Sequence, residues 1–308
     1  MSTGFSLAIH GGAGVLPTAD MTEERAARTH AALDRILAVG EAILSRGGSA
    51  LDAVDAAVCA LEDEPLFNAG RGAVFTRAGT HEMDACIMDG TTRAAGAVAG
   101  IMGPRNPVRT ARAVMETTPH VLMIGDGALE VARAADLPFE DADYFFTQER
   151  RDALDSTLAM EAAGTLDDDP SRRHGTVGAV ARDRDGNVAA ATSTGGMTAK
   201  RAGRVGDSPV IGAGTFASNA TCAVSATGDG EAFLRLSVAH EIDARMRLAG
   251  ADLDTAARGV VIDDLTAIGG SGGLIAVGAD GAISLPFNCE GMYRGWSREG
   301  DDRGTAIY

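Results

Sequence analysis

Lysine is almost missing from this chain. Lys200 is the one lysine among 27 basic residues, so a Schiff base or a lysine general base can sit nowhere else. Cysteine is scarce too: Cys59, Cys86, Cys222 and Cys289 stand far apart and form no CxxC pair. That spacing excludes a disulfide framework and a cysteine zinc site, and reads as small buried hydrophobes in a reducing compartment. The six histidines include no HExxH, so a side-chain metal site is not expected; no organic cofactor is expected either. No apolar run reaches the length of a membrane span, and "MSTGFSLAIHGGAG" lacks the basic and long apolar regions of a signal peptide. The expectation is a soluble, cytoplasmic protein without a membrane partner. Positive charge is also short: the net charge is −16 and the pI about 4.7, which excludes nucleic acid as a partner.

What is present suffices for a substantial core. The chain has 308 residues, 45% of them apolar, and a mean hydropathy of +0.02. A strand "FSLAIHGGAG" is followed by a helix over Glu23 to Ser45 and a second helix opened by Ser49. Strands follow in "ACIMDGTTRAAGAVAGI", then a helix from Pro107 to Thr117, a strand "VLMIG" and a helix opened by Asp126. From Tyr144 to His174 the apolar period decays, and the stretch from about residue 140 to 174 reads as a mobile linker. Order returns at Thr176 with a hairpin, a Gly-rich loop to Ala217 and a strand "CAVSAT". A helix from Glu231 to about Leu248, a short one from Leu253 to Ala257 and a hairpin turned at Asp280-Gly281 close the pattern. Clustered strands and helices in each half predict an α+β fold, two stacked sheets between helical layers.

The hairpin "TVGAVARDRDGNVAAATST" admits two registers. A two-residue turn pairs Thr176 with Gly195. A three-residue turn pairs Asp183 with Asn187 and sets Thr176 opposite Thr194. The second is preferred, because it puts Gly186 where a left-handed residue is required. Gly175 before Thr176 gives that bond a backbone open to attack. Cutting it would leave Thr176 with an α-amine of pKa about 7.7–8.0, a base within the nucleophile's own residue.

Further pieces suit acyl transfer. "SATGDGEAF" puts Thr227, Gly228 and Gly230 between a strand and a helix, where N–H groups can hold an oxyanion. Arg204 and Asp207, three residues apart, suit the carboxylate and ammonium of an amino acid. Asn68 lies in a tight loop, "FNAGRG". Each piece also has a plain counterpart: a threonine pair in a sheet, a phosphate-binding turn, a surface ion pair, a turn that ends a helix.

Together, "IHGGAG", "PLFNAGRGAVFT", "MDACIMDG", "GTVGAVA", "ATSTGGMTAKRAGRVGDSP", "ATGDGE" and "GGSGGLIA" resemble the plant-type L-asparaginase/isoaspartyl aminopeptidase family of Ntn-hydrolases. The resemblance runs from Ala8 to Tyr293 and implies one αββα sandwich domain over residues 1–308. It implies a precursor cut at Gly175–Thr176 into an α subunit of residues 1–175 and a β subunit of residues 176–308. By that resemblance Thr176 is the nucleophile, Thr194 activates it, and Thr227 with Gly228 forms the oxyanion hole. Arg204, Asp207 and Gly230 hold the substrate, with Asn68 near the nucleophile. Backbone carbonyls of Leu61, Glu62, Glu64, Phe67, Ala69 and Arg71 would hold a structural sodium ion. The substrates implied are asparagine and β-aspartyl dipeptides, and the assembly a dimer of αβ units. His174 departs toward the glycosylasparaginase branch, which leaves an N4-glycosylasparaginase-like amidase as one alternative. An uncleaved amino-acid-binding protein is the other.

Overall fold

In the computed structural model, which describes residues 4–14, 21–165, 175–301 and 303–308, side-chain alternation decides the layers. Strand β1 (Ser6–Gly14) turns Leu7 and Ile9 to one core, and Ala8 to another. Helices α1 (Glu23–Ser45) and α2 (Ala50–Glu62) cover the first side. Thr22 and Ser49 cap them, each accepting from a backbone N–H three residues on, at 3.1 Å. Their inward stripes are Leu33, Ile36 and Leu37 on α1, and Val54, Val58 and Leu61 on α2. Burying each such Leu, Ile or Val contributes roughly 1.5–3 kcal/mol, so this stripe holds the helical layer to the sheet.

Strands β2 (Met83–Asp89) and β3 (Ala95–Ile101) come next, covered by α3 (Pro107–Thr117). A short edge strand β4 (Leu122–Ile124) leads into α4 (Gly125–Ala134). The second half supplies β5 (Val177–Arg182), β6 (Val188–Thr194), β7 (Thr215–Ala217) and β8 (Cys222–Gly228). Then come β9 (Gly272–Gly278), β10 (Ile283–Ser284), β11 (Gly291–Arg298) and β12 (Gly304–Ala306). One sheet has the order β12-β11-β1-β5-β6-β2-β3-β4, the other β10-β9-β8-β7. Strands β1, β5 and β6 face β8 and β9, so the fold is an αββα sandwich. In the larger sheet, strands from before residue 175 alternate with strands from after it: β1 lies between β11 and β5, and β6 beside β2.

The structure changes four expectations. The stretch expected as a linker, 140–174, is helical over α5 (Ala142–Phe145) and α6 (Gln148–Ala163). Helix α6 is capped by Thr147 and ended by Gly164 at φ 66°, yet buries Leu154 alone, so it carries no apolar stripe. Arg150 ties it down instead, donating to the Gly72 carbonyl at 2.9 Å. Residues 166–174, His174 included, lie outside the described residues. The helix expected from Glu231 to Leu248 breaks at Ser237, φ 50°, into α7 (Gly230–Leu236) and α8 (Val238–Ala249). Beyond it, α9 (Leu253–Arg258) runs on into a π-helical stretch, Gly259–Asp264. Finally, the β9–β10 hairpin does not close the fold, since β11 and β12 follow it and β11 pairs antiparallel with β1. Among the described residues no helix is long and apolar enough to cross a membrane.

Candidate active site

The hairpin takes the three-residue turn. Asp183 N–H donates to the Asn187 carbonyl at 2.9 Å, and Gly186 has φ 87°. The ladder from Arg182↔Val188 to Val177↔Ser193 carries Thr176 opposite Thr194 on the face toward the second sheet. Thr176 Oγ1 donates to Thr194 Oγ1 at 3.1 Å. Thr194 Oγ1 in turn accepts the Gly196 N–H at 2.9 Å and donates to the Gly175 carbonyl at 3.1 Å. A hydroxyl has one proton, so this set of partners makes Thr176 the donor in their mutual bond.

Asn68 completes the grip on Gly175. Its Oδ1 accepts the Val74 N–H at 2.9 Å, which fixes the amide so that Nδ2 faces the other way. Nδ2 donates to the Gly175 carbonyl at 2.7 Å and to the Gly196 carbonyl at 2.6 Å. Gly195 permits this approach, since a Cβ there would stand 2.6 Å from Asn68 Oδ1. From the far side Gly12 presses in: a Cβ there would lie 3.2 Å from Gly175 Cα and 3.3 Å from Thr176 N. The carbonyl of residue 175 is thus held by two donors beside a buried hydroxyl. Such a geometry polarises a carbonyl for attack.

Thr176, Thr194, Arg204, Asp207 and Gly228 line one narrow cleft. Asp207 is 5% exposed, and its Oδ2 has no hydrogen-bond partner. Burial pushes its pKa up to about 7, against the pull of Arg204. A buried carboxylate short of a partner is a receptor for a cation. Arg204 spends its Nε/Nη2 edge on Glu231, at 3.0 and 2.8 Å. Gly230 sits where a Cβ would meet Arg204 Nη2 at 2.9 Å and Asp207 Oδ1 at 3.0 Å. Thr227 is fully buried, and its hydroxyl accepts the Ala13 N–H at 3.2 Å.

A family model described as asparaginase matches residues 3–307. The chain belongs to the asparaginase family of Ntn-hydrolases. It is 53% identical to the isoaspartyl peptidase of Salmonella typhimurium, over 98% of each chain. It is 52% identical to that of Escherichia coli, over 98% of this chain and 95% of the relative. The human isoaspartyl peptidase/L-asparaginase is 45% identical over 75% of this chain and 73% of its own.

Other features of this asparaginase-family enzyme carried weak sequence signals. The segment "GGSGG" around Ser271 fits the spacing of a serine nucleophile elbow, but it enters strand β9 from a loop; that elbow needs a strand leading into a helix. Lys200 is buried, its Nζ donating to the Glu82 carbonyl at 2.8 Å, and burial lowers its pKa. A Cβ on Gly196 would come within 2.9 Å of that Nζ, so Lys200 packs against the backbone two residues beyond Thr194. His10 was hidden in "IHGGAG". Its Nδ1 lies 3.1 Å from the Thr176 carbonyl oxygen, and burial depresses its pKa to about 3.

Carbonyl oxygens crowd the loop after α2. Carbonyls of Leu61, Glu64, Phe67 and Ala69 each accept a backbone N–H at 3.0–3.3 Å, leaving a lone pair apiece. A Cβ on Gly70 would sit 2.5 Å from the Glu62 oxygen, and one on Gly72 2.1 Å from the Phe67 oxygen. Tight turns crowded with carbonyl oxygens suit a hard cation without side-chain ligands.

Proposed function

We propose that the protein is a self-cleaving amidohydrolase whose Thr176, freed as an N-terminus, hydrolyses L-asparagine and β-aspartyl dipeptides. The observation that carries this reading is the Gly175 carbonyl, gripped by Asn68 and Thr194 beside the Thr176 hydroxyl.

In maturation, Thr176 Oγ1 attacks the Gly175 carbonyl carbon. The C–N bond breaks, the nitrogen takes the proton, and an ester joins Gly175 to Thr176. Water hydrolyses the ester, leaving a Gly175 carboxylate and a Thr176 α-amine. That amine then acts as the base for the second reaction. Asp207 and Arg204 take the substrate's ammonium and α-carboxylate, with the Gly230 carbonyl helping at the ammonium. Oγ1 attacks the side-chain carbonyl, and ammonia or an amino acid leaves with the proton. N–H groups at Thr227 and Gly228 would stabilise the oxyanion. Water releases aspartate from the β-aspartyl ester.

A sodium ion on the carbonyls of Leu61, Glu62, Glu64, Phe67, Ala69 and Arg71 would stiffen the loop bearing Asn68. A cytoplasmic dimer of αβ units completes the reading, and the four free cysteines suit a reducing compartment. The test is intact mass and Edman sequencing after incubation. The expected result is a fragment beginning Thr-Val-Gly-Ala-Val and release of ammonia from asparagine. Thr176→Ala should stay one inert chain. A different new N-terminus would overturn the assignment.

A further inference from the structure

The space between the sheets is lined with hydrocarbon, yet four polar side chains meet in it. His10 on β1, Thr192 on β6, Thr215 on β7 and Ser225 on β8 are all fully buried. Polar groups in such a place must find partners. They find one another. His10 Nε2 is 2.9 Å from Ser225 Oγ, and Ser225 Oγ is 2.7 Å from Thr192 Oγ1. Thr215 Oγ1 lies 2.7 Å from Thr192 Oγ1 and 2.9 Å from the Ser208 carbonyl. Gly178, on the strand that begins after Thr176, leaves the room: a Cβ there would fall 1.9 Å from Ser225 Oγ and 2.5 Å from His10 Nε2.

Proton counting gives the chain a direction. The Thr176 carbonyl only accepts, so His10 carries its proton on Nδ1 and donates it there. Nε2 is then an acceptor, and Ser225 donates to it. With that proton committed, Ser225 accepts from Thr192 at 2.7 Å, and the Thr192 proton is shared with the Gly214 carbonyl at 3.3 Å. Thr192 accepts from Thr215, whose one proton is shared with the Ser208 carbonyl. The Thr176 carbonyl therefore sets the tautomer of His10, and three hydroxyls drawn from both sheets line up to match it.

We infer that His10 is a positioning residue for the nucleophile: its Nδ1–H holds the Thr176 main chain, and the Ser225–Thr192–Thr215 chain locks the imidazole and ties it to Ser208, beside Asp207. The inference rests on Thr176 being the nucleophile. The bond matters most after cleavage, when Thr176 loses its covalent link to Gly175. A chain end frays unless something holds it. The imidazole supplies a restraint where the peptide bond supplied one before.

The test separates the two ring nitrogens. His10→Asn places an amide nitrogen where Nδ1 stood, keeping the donor to Thr176. His10→Gln places its amide near Nε2, keeping Ser225 but losing Thr176. Precursor cleavage rate, melting temperature, and kcat and KM per free Thr176 amine are measured for both variants and for Ser225→Ala. His10→Gln should lose kcat by about 30-fold or more with KM within about two-fold, on the scale of misplaced reacting groups. His10→Asn should stay within about five-fold of wild type, and Ser225→Ala should fall between the two. In His10→Gln, kcat should fall further than the cleavage rate does. Equal kcat for His10→Gln and His10→Asn would overturn the inference, and so would a Ser225→Ala enzyme indistinguishable from wild type. Should His10→Gln fail to fold, Ser225→Ala decides alone. Wild-type protein that cuts elsewhere than Gly175–Thr176 would overturn the underlying reading instead.

Discussion

The amide of Asn68 and the carbonyl of Gly175 are joined by a 2.7 Å hydrogen bond at the bond proposed to be cut. Asn68→Asp keeps the shape but turns a donor into a charged acceptor facing the carbonyl oxygen. Precursor cleavage should slow on the order of 10²-fold or more, as for loss of an oxyanion donor. A time course on denaturing gels reads this directly. Cleavage at the wild-type rate would show that Thr194 polarises Gly175 unaided.

Thr194→Val keeps volume and β-branching and deletes one hydroxyl that has three partners. The fold should persist. Maturation should slow, and the fraction that matures should lose kcat by about 10²-fold with little change in KM. Turnover per free amine close to wild type would make Thr194 a packing partner only.

Asp207 predicts a pH dependence. Burial raises its pKa to about 7, so in the free enzyme the carboxyl is neutral below that pH and charged above it. A substrate ammonium needs the charged form, and once bound it stabilises that form. KM should therefore rise about tenfold per unit as pH falls below 7, with kcat less affected by this group. The sign for stability is the reverse. With its folded pKa above the usual carboxyl value, Asp207 favours folding most at low pH, and this is lost as pH climbs through about 7. Steady-state kinetics from about pH 5.5 to 8.5 checks the first part. A flat KM would refute it.

Glu231 grips one edge of Arg204, and the proposed substrate carboxylate would take the other. Glu231→Gln should loosen the guanidinium without touching the reacting atoms. Because the pair is partly exposed, the loss is about 1 kcal/mol, a several-fold rise in KM at constant kcat. A lower KM would mean that Glu231 competes with the substrate carboxylate.

The hairpin that carries Thr176 and Thr194 was legible because its register follows from one glycine. Gly186 can take φ 87°, and counting back from it puts Thr176 opposite Thr194. Helices α1 and α3 were legible to the residue, α1 from its apolar spacing. Helix α6 was not, because it buries one leucine and is anchored by Arg150, a polar bond that leaves no periodicity. Strand β11 was missed for a related reason. "GMYRGWSR" mixes glycine, arginine and aromatics, and its place is set by pairing with β1, almost the whole chain length away. His10 could not be assigned from sequence, since its contacts and relays, Thr176, Ser225, Thr192 and Thr215, are all distant in the chain. Glu231 stood in the quoted "GDGE", but only the fold brings it onto Arg204.

The alternation of strands from before and after residue 175 has a consequence for the life of the molecule. As one chain the protein folds with all its strands tethered, a first-order process. Once cut, its two pieces are interleaved: β1 is clasped between β11 and β5, and β6 is zipped to β2. They cannot part without dismantling the central sheet. Once apart, they can meet again only by collision of two incomplete chains with open edges, which invites aggregation. Heat inactivation of the mature enzyme should therefore be one-way, with an endurance set by how slowly the sheet first opens.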